Sequence, residues 1–298
     1  MISNTLRVDP DLPRCDGVEI VSGNLDNVDS LSSAFKGATA IFAVTDFWSP
    51  FQDPASYAQL AEGQTINEYC YDLELQRALN IAKAAAANLA TIDRFIFSSL
   101  SYAKEWSKGK YTWVYHFDSK AEAVRRIKGE FPELAARMSV VQVGLYATNW
   151  KQGLGAFTRQ PDGSFKISMP GNGDAPIPMV ATEKDTGSFV HALIRSPPGL
   201  HLLGYGQLMS WREYAAVWSR VTGAGPVTYE EITVADMEKI MPSALAKELG
   251  EMCLYMAEFG YDGSDPSIVH PADLGVECPT TSMEEYIKQE DWSDLIKA

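Results

Sequence analysis

Short runs of apolar residues alternate with helical patterns through the first half of the chain. The apolar runs predict four strands, and the amphipathic stretches between them predict helices. The predicted strands are Val18–Val21, Ala38–Val44, Arg94–Ser99 and Met138–Val143, and the predicted helices are Asp29–Lys36, Asp72–Asn88 and Ser119–Lys128. Nearly all-apolar strands that alternate with helices are typical of a parallel sheet covered on both faces, so we expect an α/β fold.

The second half of the chain has a different pattern. Glycine and proline clusters follow Trp150, and the helical patterns there are Glu183–Arg195, Trp211–Thr222, Ala235–Met241 and Leu245–Phe259. We therefore expect residues 1–150 to form the sheet domain and residues 151–298 a smaller, mostly helical lobe interleaved with it. The C-terminal segment MEEYIKQEDWSDLIKA predicts a docked helix.

Composition narrows the class of protein. The chain has 298 residues, of which 46% are hydrophobic, and a net charge of −14, so direct binding of nucleic acid is disfavoured. Its four cysteines are far apart, which argues against both a disulfide framework and a zinc site. With neither a signal peptide nor an apolar run long enough for a bilayer, we expect a cytoplasmic protein, a nuclear pool being the open alternative.

Several segments, taken in order, match those of one known family. They are VEIVSGNLDNVDSL, IFAVTDFW, RFIFSSLSYAKEWSKGKY, HFDSKAEAVRRI, VGLYATNW, PMVATEKDTGSFV and EFGYDG. Together they resemble the NmrA-like family of atypical short-chain dehydrogenases/reductases, from about Arg7 onward. The resemblance implies a Rossmann-like doubly wound parallel sheet, NADP as cofactor with NAD as the alternative, and a small-molecule substrate.

The family's glycine motif is not found where the resemblance would place it. In the family, G-x-x-G-x-x-G lies upstream of the segment that LRVDPDLP resembles, and its glycines let the backbone approach the cofactor's pyrophosphate. The glycine clusters at 171–176 and 222–226 neither follow a buried strand nor open a helix, so both predict turns. We therefore expect the first strand and the glycine loop to be missing from this sequence.

Three explanations for the missing strand stay open. The first is that the gene model starts too late or lacks an exon. The second is that the sheet has closed so that Val18–Val21 pairs with Ala40–Val44, and the third is that a second chain supplies the strand. The first is favoured, because a lost central strand leaves unpaired backbone groups that are hard to compensate.

The resemblance also assigns cofactor contacts. Arg7 lies where the family places the basic residue that receives the 2′-phosphate of NADP, although a solvated N-terminal arginine is an equally good interpretation. Asn24 and Leu25 match the pair that contacts the adenine, and a turn after a strand is the alternative there. The remaining implied contacts, at or beyond the carboxyl ends of strands, are Ala43, Val44, Thr45, Ser98, Gly144, Tyr146 and Asn149.

Lys120 and His116 are the candidate catalytic residues. Short-chain dehydrogenases usually carry Y-x-x-x-K on one helix face, where the lysine binds the nicotinamide ribose and the tyrosine donates a proton. Here the stretch reads HFDSK, so His116 stands at the tyrosine position and can itself act as an acid. Isoflavone-reductase-like relatives also lack that tyrosine and rely on the lysine. The alternative for Lys120 is a surface lysine of a helix.

Three functional hypotheses follow. The first is an NADP(H)-linked oxidoreductase that acts on a small aromatic or conjugated metabolite. The second is a non-catalytic redox sensor that binds a protein partner, and the third is a truncated product that cannot bind cofactor. Four aromatic residues are candidates to cap an apolar cleft for the substrate, and a core between the two lobes is an equally good interpretation. They are Trp48, Phe51, Tyr57 and Trp113. No metal site is predicted, because the histidines lack ligand spacing.

Overall fold

A computed structural model describes residues 17–297, and a parallel sheet covered by helices on both faces forms its centre. The first half of the described chain contains α1 (Val28–Ala34), β1 (Ala40–Ala43), α2 (Trp48–Gln52), α3 (Pro54–Tyr57), α4 (Ile66–Ala86), β2 (Arg94–Ser99), α5 (Ala103–Trp106), α6 (Tyr115–Glu130), α7 (Pro132–Ala135) and β3 (Met138–Val143).

The second half contributes β4 (Leu145–Tyr146), a 3₁₀ helix (Ala147–Gln152), β5 (Thr158–Arg159), β6 (Phe165–Pro170), β7 (Ile177–Val180), α8 (Thr182–Arg195), β8 (His201–Gly204), β9 (Gln207–Met209), α9 (Trp211–Thr222), β10 (Val227–Ile232), α10 (Val234–Met237), α11 (Ser243–Phe259), β11 (Ile268–Val269), a 3₁₀ helix (Pro271–Asp273), α12 (Met283–Gln289) and α13 (Ser293–Lys297).

The main sheet has the order β1-β2-β3-β8-β11, and every pairing in it is parallel. Successive residues of β2 face opposite sides. Phe95 packs in the core with α4 and α6, while Ile96 packs in a second core with Phe189 of α8. The α/β fold class predicted from the strand–helix alternation is therefore confirmed, and the carboxyl ends of β1, β2, β3 and β8 meet at one edge of the sheet.

The predicted strand at Val18–Val21 is wrong. These residues form no strand, and Val18, Ile20 and Val21 are 49–65% exposed. β1 pairs with β2 on one side, and no residue of the range 17–297 pairs with it on the other, so the closing of the sheet by Val18–Val21 is also wrong. An apolar run becomes a strand only where a partner satisfies its backbone groups, which these residues do not find here.

Residues 46–69, which follow the predicted strand Ala38–Val44, contain two short helices and the first turn of α4. That helix begins at Ile66, six residues before the predicted start at Asp72, because Thr65 and Glu68 form a capping box. The Thr65 hydroxyl accepts from the Glu68 N–H at 3.2 Å, and the Glu68 carboxylate accepts from the Thr65 N–H at 2.8 Å. The T-x-x-E signature was present in the sequence.

The second half of the chain completes the main sheet and adds two small sheets, β10-β6-β5 and β4-β7-β9. Its core is rich in aromatic side chains, including Phe157 and Trp218, whose ring centroids are 4.1 Å apart. The C-terminal segment docks on this core through Trp292, which is 5% exposed and stacks on Trp150. Among residues 17–297, no helix has the length and apolarity needed to cross a bilayer.

Candidate cofactor and active site

Several of the residues implied by the resemblance lie at or just beyond the carboxyl edge of the main sheet. Ala43 ends β1 and is buried, whereas Val44 just beyond it is 50% exposed. Ser98 is the penultimate residue of β2, and Gly144 follows β3 directly. Ligands of open α/β sheets bind at this edge, so the placement suits a cofactor site.

Three side chains meet at the carboxylate of Glu74, which is 1% exposed. Thr45, two residues beyond β1, donates its hydroxyl to Glu74 Oε1 at 2.9 Å. Ser119 and Lys120, both on α6, donate to the same carboxylate through Oγ and Nζ. Two residues that the sequence analysis assigned to the cofactor, Thr45 and Lys120, are therefore held by one buried acid.

Sequence analysis missed Glu74, but a signal for it existed. Glu74, Ala78, Ile81 and Ala85 follow at spacings of four, three and four residues, and all are buried on one stripe of α4. A carboxylate on an otherwise apolar stripe needs hydrogen-bond donors, because burying it without partners costs several kcal/mol. That pattern predicts a buried acid, although it does not say which donors reach it.

The position of the Lys120 ammonium suits the binding of a ribose better than it suits a solvent-exposed lysine. Its side chain is 13% exposed, so the alternative of a surface lysine is wrong. An ammonium has three N–H donors, and Glu74 accepts one of them. The two remaining donors can bind ribose hydroxyls, so Lys120 fits the ribose of a dinucleotide.

His116 lies one turn before Lys120, on the same face of α6, and a second buried acid holds it. Glu248 of α11 is 0% exposed, and its Oε1 lies 2.6 Å from His116 Nδ1 and accepts the His116 backbone N–H at 2.8 Å. Its other oxygen accepts from the Asn67 amide at 2.6 Å. Sequence analysis missed Glu248 too, although it shares a helical stripe with Met252, Tyr255 and Phe259.

An open pocket of about 450 Å³ lies beside this histidine. Trp48 lines the pocket, and its ring centroid is 4.9 Å from that of His116. Leu245 of α11 also lines it, and the remaining lining residues are Phe51, Gln52, Pro54 and Tyr57. Of the four aromatic residues considered for a cleft, Trp113 lies elsewhere, with the Lys247 ammonium 4.7 Å from its ring centroid.

Burial raises the pKa of two groups near these acids, Cys70 and Asp118. Burial, reinforced by the charge of Glu248, raises the pKa of the Cys70 thiol to about 12, so this thiol is not a nucleophile at neutral pH. Burial also raises the pKa of Asp118 to about 7, although a hydrogen bond from the Lys104 backbone N–H opposes the rise. Among residues 17–297, no cluster of His, Cys, Asp and Glu is arranged to hold a metal ion.

The remaining predicted residues have local structural contacts. Asn24 and Leu25 form the turn before α1, and the Leu25 carbonyl accepts from the Asn80 amide of α4 at 2.9 Å. Tyr146 is 46% exposed beyond the sheet edge, and Asn149 is half-buried in a 3₁₀ helix. Arg7 lies outside the described residues.

Gly144 is required by packing as well as by its place at the sheet edge. A Cβ atom at this position would lie 2.2 Å from the carbonyl oxygen of Pro178 in β7. Its backbone N–H also donates to the Gly204 carbonyl at 2.9 Å. The close approach of β7 to the end of β3 therefore accounts for this glycine without a ligand.

Comparison with known proteins gives one family model and several solved structures of similar fold. Residues 13–287 match the model of the NmrA-like family. The fold is similar to that of NmrA, a negative transcriptional regulator solved with NADP, with a TM-score of 0.62 at 20% identity over 89% of this chain and 78% of that one.

Two solved reductases share the fold as well. The NADPH-dependent quinone oxidoreductase of Escherichia coli, solved with NADPH, matches with a TM-score of 0.58 at 17% identity, over 92% of this chain and 83% of that one. The triphenylmethane reductase of Citrobacter sp., solved with NADP(H), matches with a TM-score of 0.57 at 18% identity, over 90% and 81% of the two chains.

Proposed function

The chain belongs to the NmrA-like family, and from this membership and the geometry around Lys120 we propose that it is an NADP(H)-linked oxidoreductase. Its substrate is a small aromatic or conjugated molecule. The quinone and triphenylmethane reductases that share the fold act on molecules of that class.

The observation that carries the proposal is the convergence of Thr45 and Lys120 on Glu74 at the carboxyl edge of the sheet. A lysine that a buried acid holds beside a strand end keeps further N–H donors for the hydroxyl groups of a ligand. Bound NADPH would supply a hydride at this edge. In this proposal Lys120 binds the nicotinamide ribose, Glu74 holds the lysine, and Thr45 fixes the carboxylate.

The further cofactor contacts in the proposal come from the family resemblance. Arg7 receives the 2′-phosphate, which favours NADP over NAD, while Asn24 and Leu25 contact the adenine. The remaining contacts are Ala43, Val44, Ser98, Gly144, Tyr146 and Asn149.

The aromatic pocket is the proposed substrate site. Trp48 and Phe51 offer flat apolar surface, which suits conjugated rings. His116, in contact with Trp48, is the proposed proton donor. Hydride from the cofactor and a proton from His116 would together reduce a quinone to its hydroquinone.

The test combines binding and turnover. Calorimetry with NADPH and an absorbance assay of NADPH oxidation with a quinone probe are run on the wild type, Lys120→Met and Lys128→Met. Lys128 is an exposed lysine two turns further along α6, so it controls for loss of charge. We expect Lys120→Met to weaken NADPH binding at least tenfold and Lys128→Met to leave it within twofold. Equal binding by both variants would overturn the proposal.

A non-catalytic redox sensor is the second candidate, favoured by the histidine at the tyrosine position and by the fold shared with a transcriptional regulator. NADPH binding without turnover of any quinone, together with cofactor-dependent association with a protein partner, would identify this function. A chain that binds no dinucleotide at all would contradict both candidates.

A further inference from the structure

Glu248 links the distal half of the chain to the proposed proton donor. It lies on α11, 132 residues from His116 along the sequence, and contacts both the backbone N–H and the imidazole of that residue. It is 0% exposed, whereas the His116 side chain is 8% exposed. Among residues 17–297, no hydrogen bond to His116 Nε2 is found, so the imidazole is held through Nδ1 and free at the other nitrogen.

The groups around Glu248 suit a carboxylate that accepts hydrogen bonds. An ionised carboxylate only accepts hydrogen bonds, and the other groups that contact Glu248 are donors, the His116 backbone N–H and the Asn67 amide. Asn67 directs its NH₂ group at Glu248 even though its own Oδ1, buried, has no partner among the described residues. The positive end of the α6 dipole also favours a negative charge at this place.

The contact with Glu248 fixes the tautomer of His116. A carboxylate at 2.6 Å from Nδ1 requires the proton on Nδ1, which leaves Nε2 as the nitrogen that gains and loses a proton.

We propose that Glu248 is a positioning residue that holds His116 with Nδ1–H toward the protein and Nε2 as the proton-transfer atom. This inference rests on the proposed function. In the reducing direction, the imidazolium would give its Nε2 proton to a quinone oxygen while NADPH supplies the hydride, so that the quinone becomes the hydroquinone. The histidine is left neutral with its proton on Nδ1, and solvent restores the proton on Nε2.

A purely structural role would explain some of the same contacts. Val114, the N-cap of α6, has no side-chain capping bond, and Glu248 accepts a backbone N–H of the first turn in its place. If Glu248 were only a helix cap, its removal would lower the stability of the fold. It would not change which imidazole nitrogen carries the proton. The tautomer is therefore the property to measure.

The experiment is ¹⁵N NMR of the full-length chain, at a pH where the imidazole is neutral. The chain has four histidines, so His116→Gln identifies the His116 signals. In the wild type we expect the Nδ1–H tautomer to exceed the Nε2–H tautomer by about tenfold or more, since a hydrogen bond to a charged group is worth about 1.5–3 kcal/mol. In Glu248→Gln, the amide can present either oxygen or NH₂ to Nδ1, and both tautomers should appear.

Glu251→Gln is the matched control. Glu251 lies one turn further along α11 and accepts the backbone N–H groups of Thr112 and Trp113 at 2.7 and 2.8 Å, away from the imidazole. We expect it to keep the wild-type tautomer. A wild type dominated by Nε2–H, or the same tautomer ratio in both variants, would overturn the positioning role.

Activity separates this inference from the proposed function. With NADPH and a quinone, Glu248→Gln should lower kcat about 10–100-fold, as loss of a residue that orients a reacting group commonly does, while the Kd for NADPH stays within twofold. A shifted tautomer with unchanged kcat would overturn His116 as proton donor. A wild type without turnover would overturn the proposed function, and the tautomer would still report whether Glu248 orients His116.

Discussion

Glu74 and Lys120 form an ion pair across α4 and α6 in which the carboxylate is 1% and the lysine side chain 13% exposed. Such a pair leaves a charge without compensation when either partner is removed. The same carboxylate holds Ser119 and Thr45, so the pair connects three elements at the carboxyl edge of the sheet.

The first prediction concerns this pair. Glu74→Gln should lower the free energy of unfolding by about 3–5 kcal/mol, because it leaves the Lys120 ammonium buried without its counter-charge. The double variant Glu74→Gln, Lys120→Met should lose much less than the sum of the two single losses. Urea unfolding of the wild type and the three variants measures this, and additive losses would show that the two side chains are not coupled.

The second prediction concerns pH and Asp118. Its pKa is raised from 3.8 to about 7 in the folded chain, so the folded state binds more protons than the unfolded state between those values. Stability should therefore fall as the pH rises from about 4 to about 7, by at most about 4 kcal/mol from this group.

Asp118→Asn isolates that contribution. The amide oxygen can still accept from the Lys104 backbone N–H but cannot ionise. As the pH rises from about 4 to about 7, the wild type should lose more free energy of unfolding than the variant does, because only the wild type has a carboxyl to ionise. Urea unfolding at both ends of that range measures it, and a difference that is independent of pH would contradict the burial of an ionising carboxyl.

The third prediction contrasts two glycines. Gly144→Ala places a Cβ atom 2.2 Å from the Pro178 carbonyl oxygen, so we expect a loss of at least about 1–3 kcal/mol from overpacking. Gly187 lies in the middle of α8, and a Cβ atom added there would have no atom within 4 Å beyond its chain neighbours and the backbone of its own helix. Gly187→Ala should therefore gain about 0.5–1 kcal/mol. Thermal unfolding of both variants would show opposite signs, and equal effects would be inconsistent with the close approach.

The fourth prediction tests the aromatic pocket. Trp48→Ala should raise KM for a quinone roughly tenfold or more, because a large apolar wall is lost, and leave the Kd for NADPH within twofold. Leu208→Ala, at an apolar residue that is 44% exposed and does not line the pocket, is the control. A KM unchanged in Trp48→Ala would place the substrate elsewhere.

Local sequence patterns correctly predicted those strands that find a partner strand in the sheet. β2 and β3 lie at the predicted residues, Arg94–Ser99 and Met138–Val143, because each is apolar enough to be buried on both faces. Val18–Val21 has a similar composition and no partner strand in the described chain, so the same pattern gave a wrong prediction.

The candidate site was predicted only in part, because its acids depend on distant contacts. Lys120 and His116 were found through one local motif, HFDSK. Glu74 and Glu248 could have been recognised as acids on apolar helical stripes, but their partners lie 46 and 132 residues away along the chain. Periodicity reports which face of a helix is buried and carries no information about what meets that face.

The order of strands in the main sheet has a consequence for biosynthesis. β8 joins the sheet beside β3 only after about 60 further residues have been made, and β11 beside β8 only at Ile268–Val269. Pairings between distant parts of a chain close large loops and form slowly. Glu248 also lies 132 residues after His116, so we expect a nascent chain to carry this histidine long before the acid that holds it.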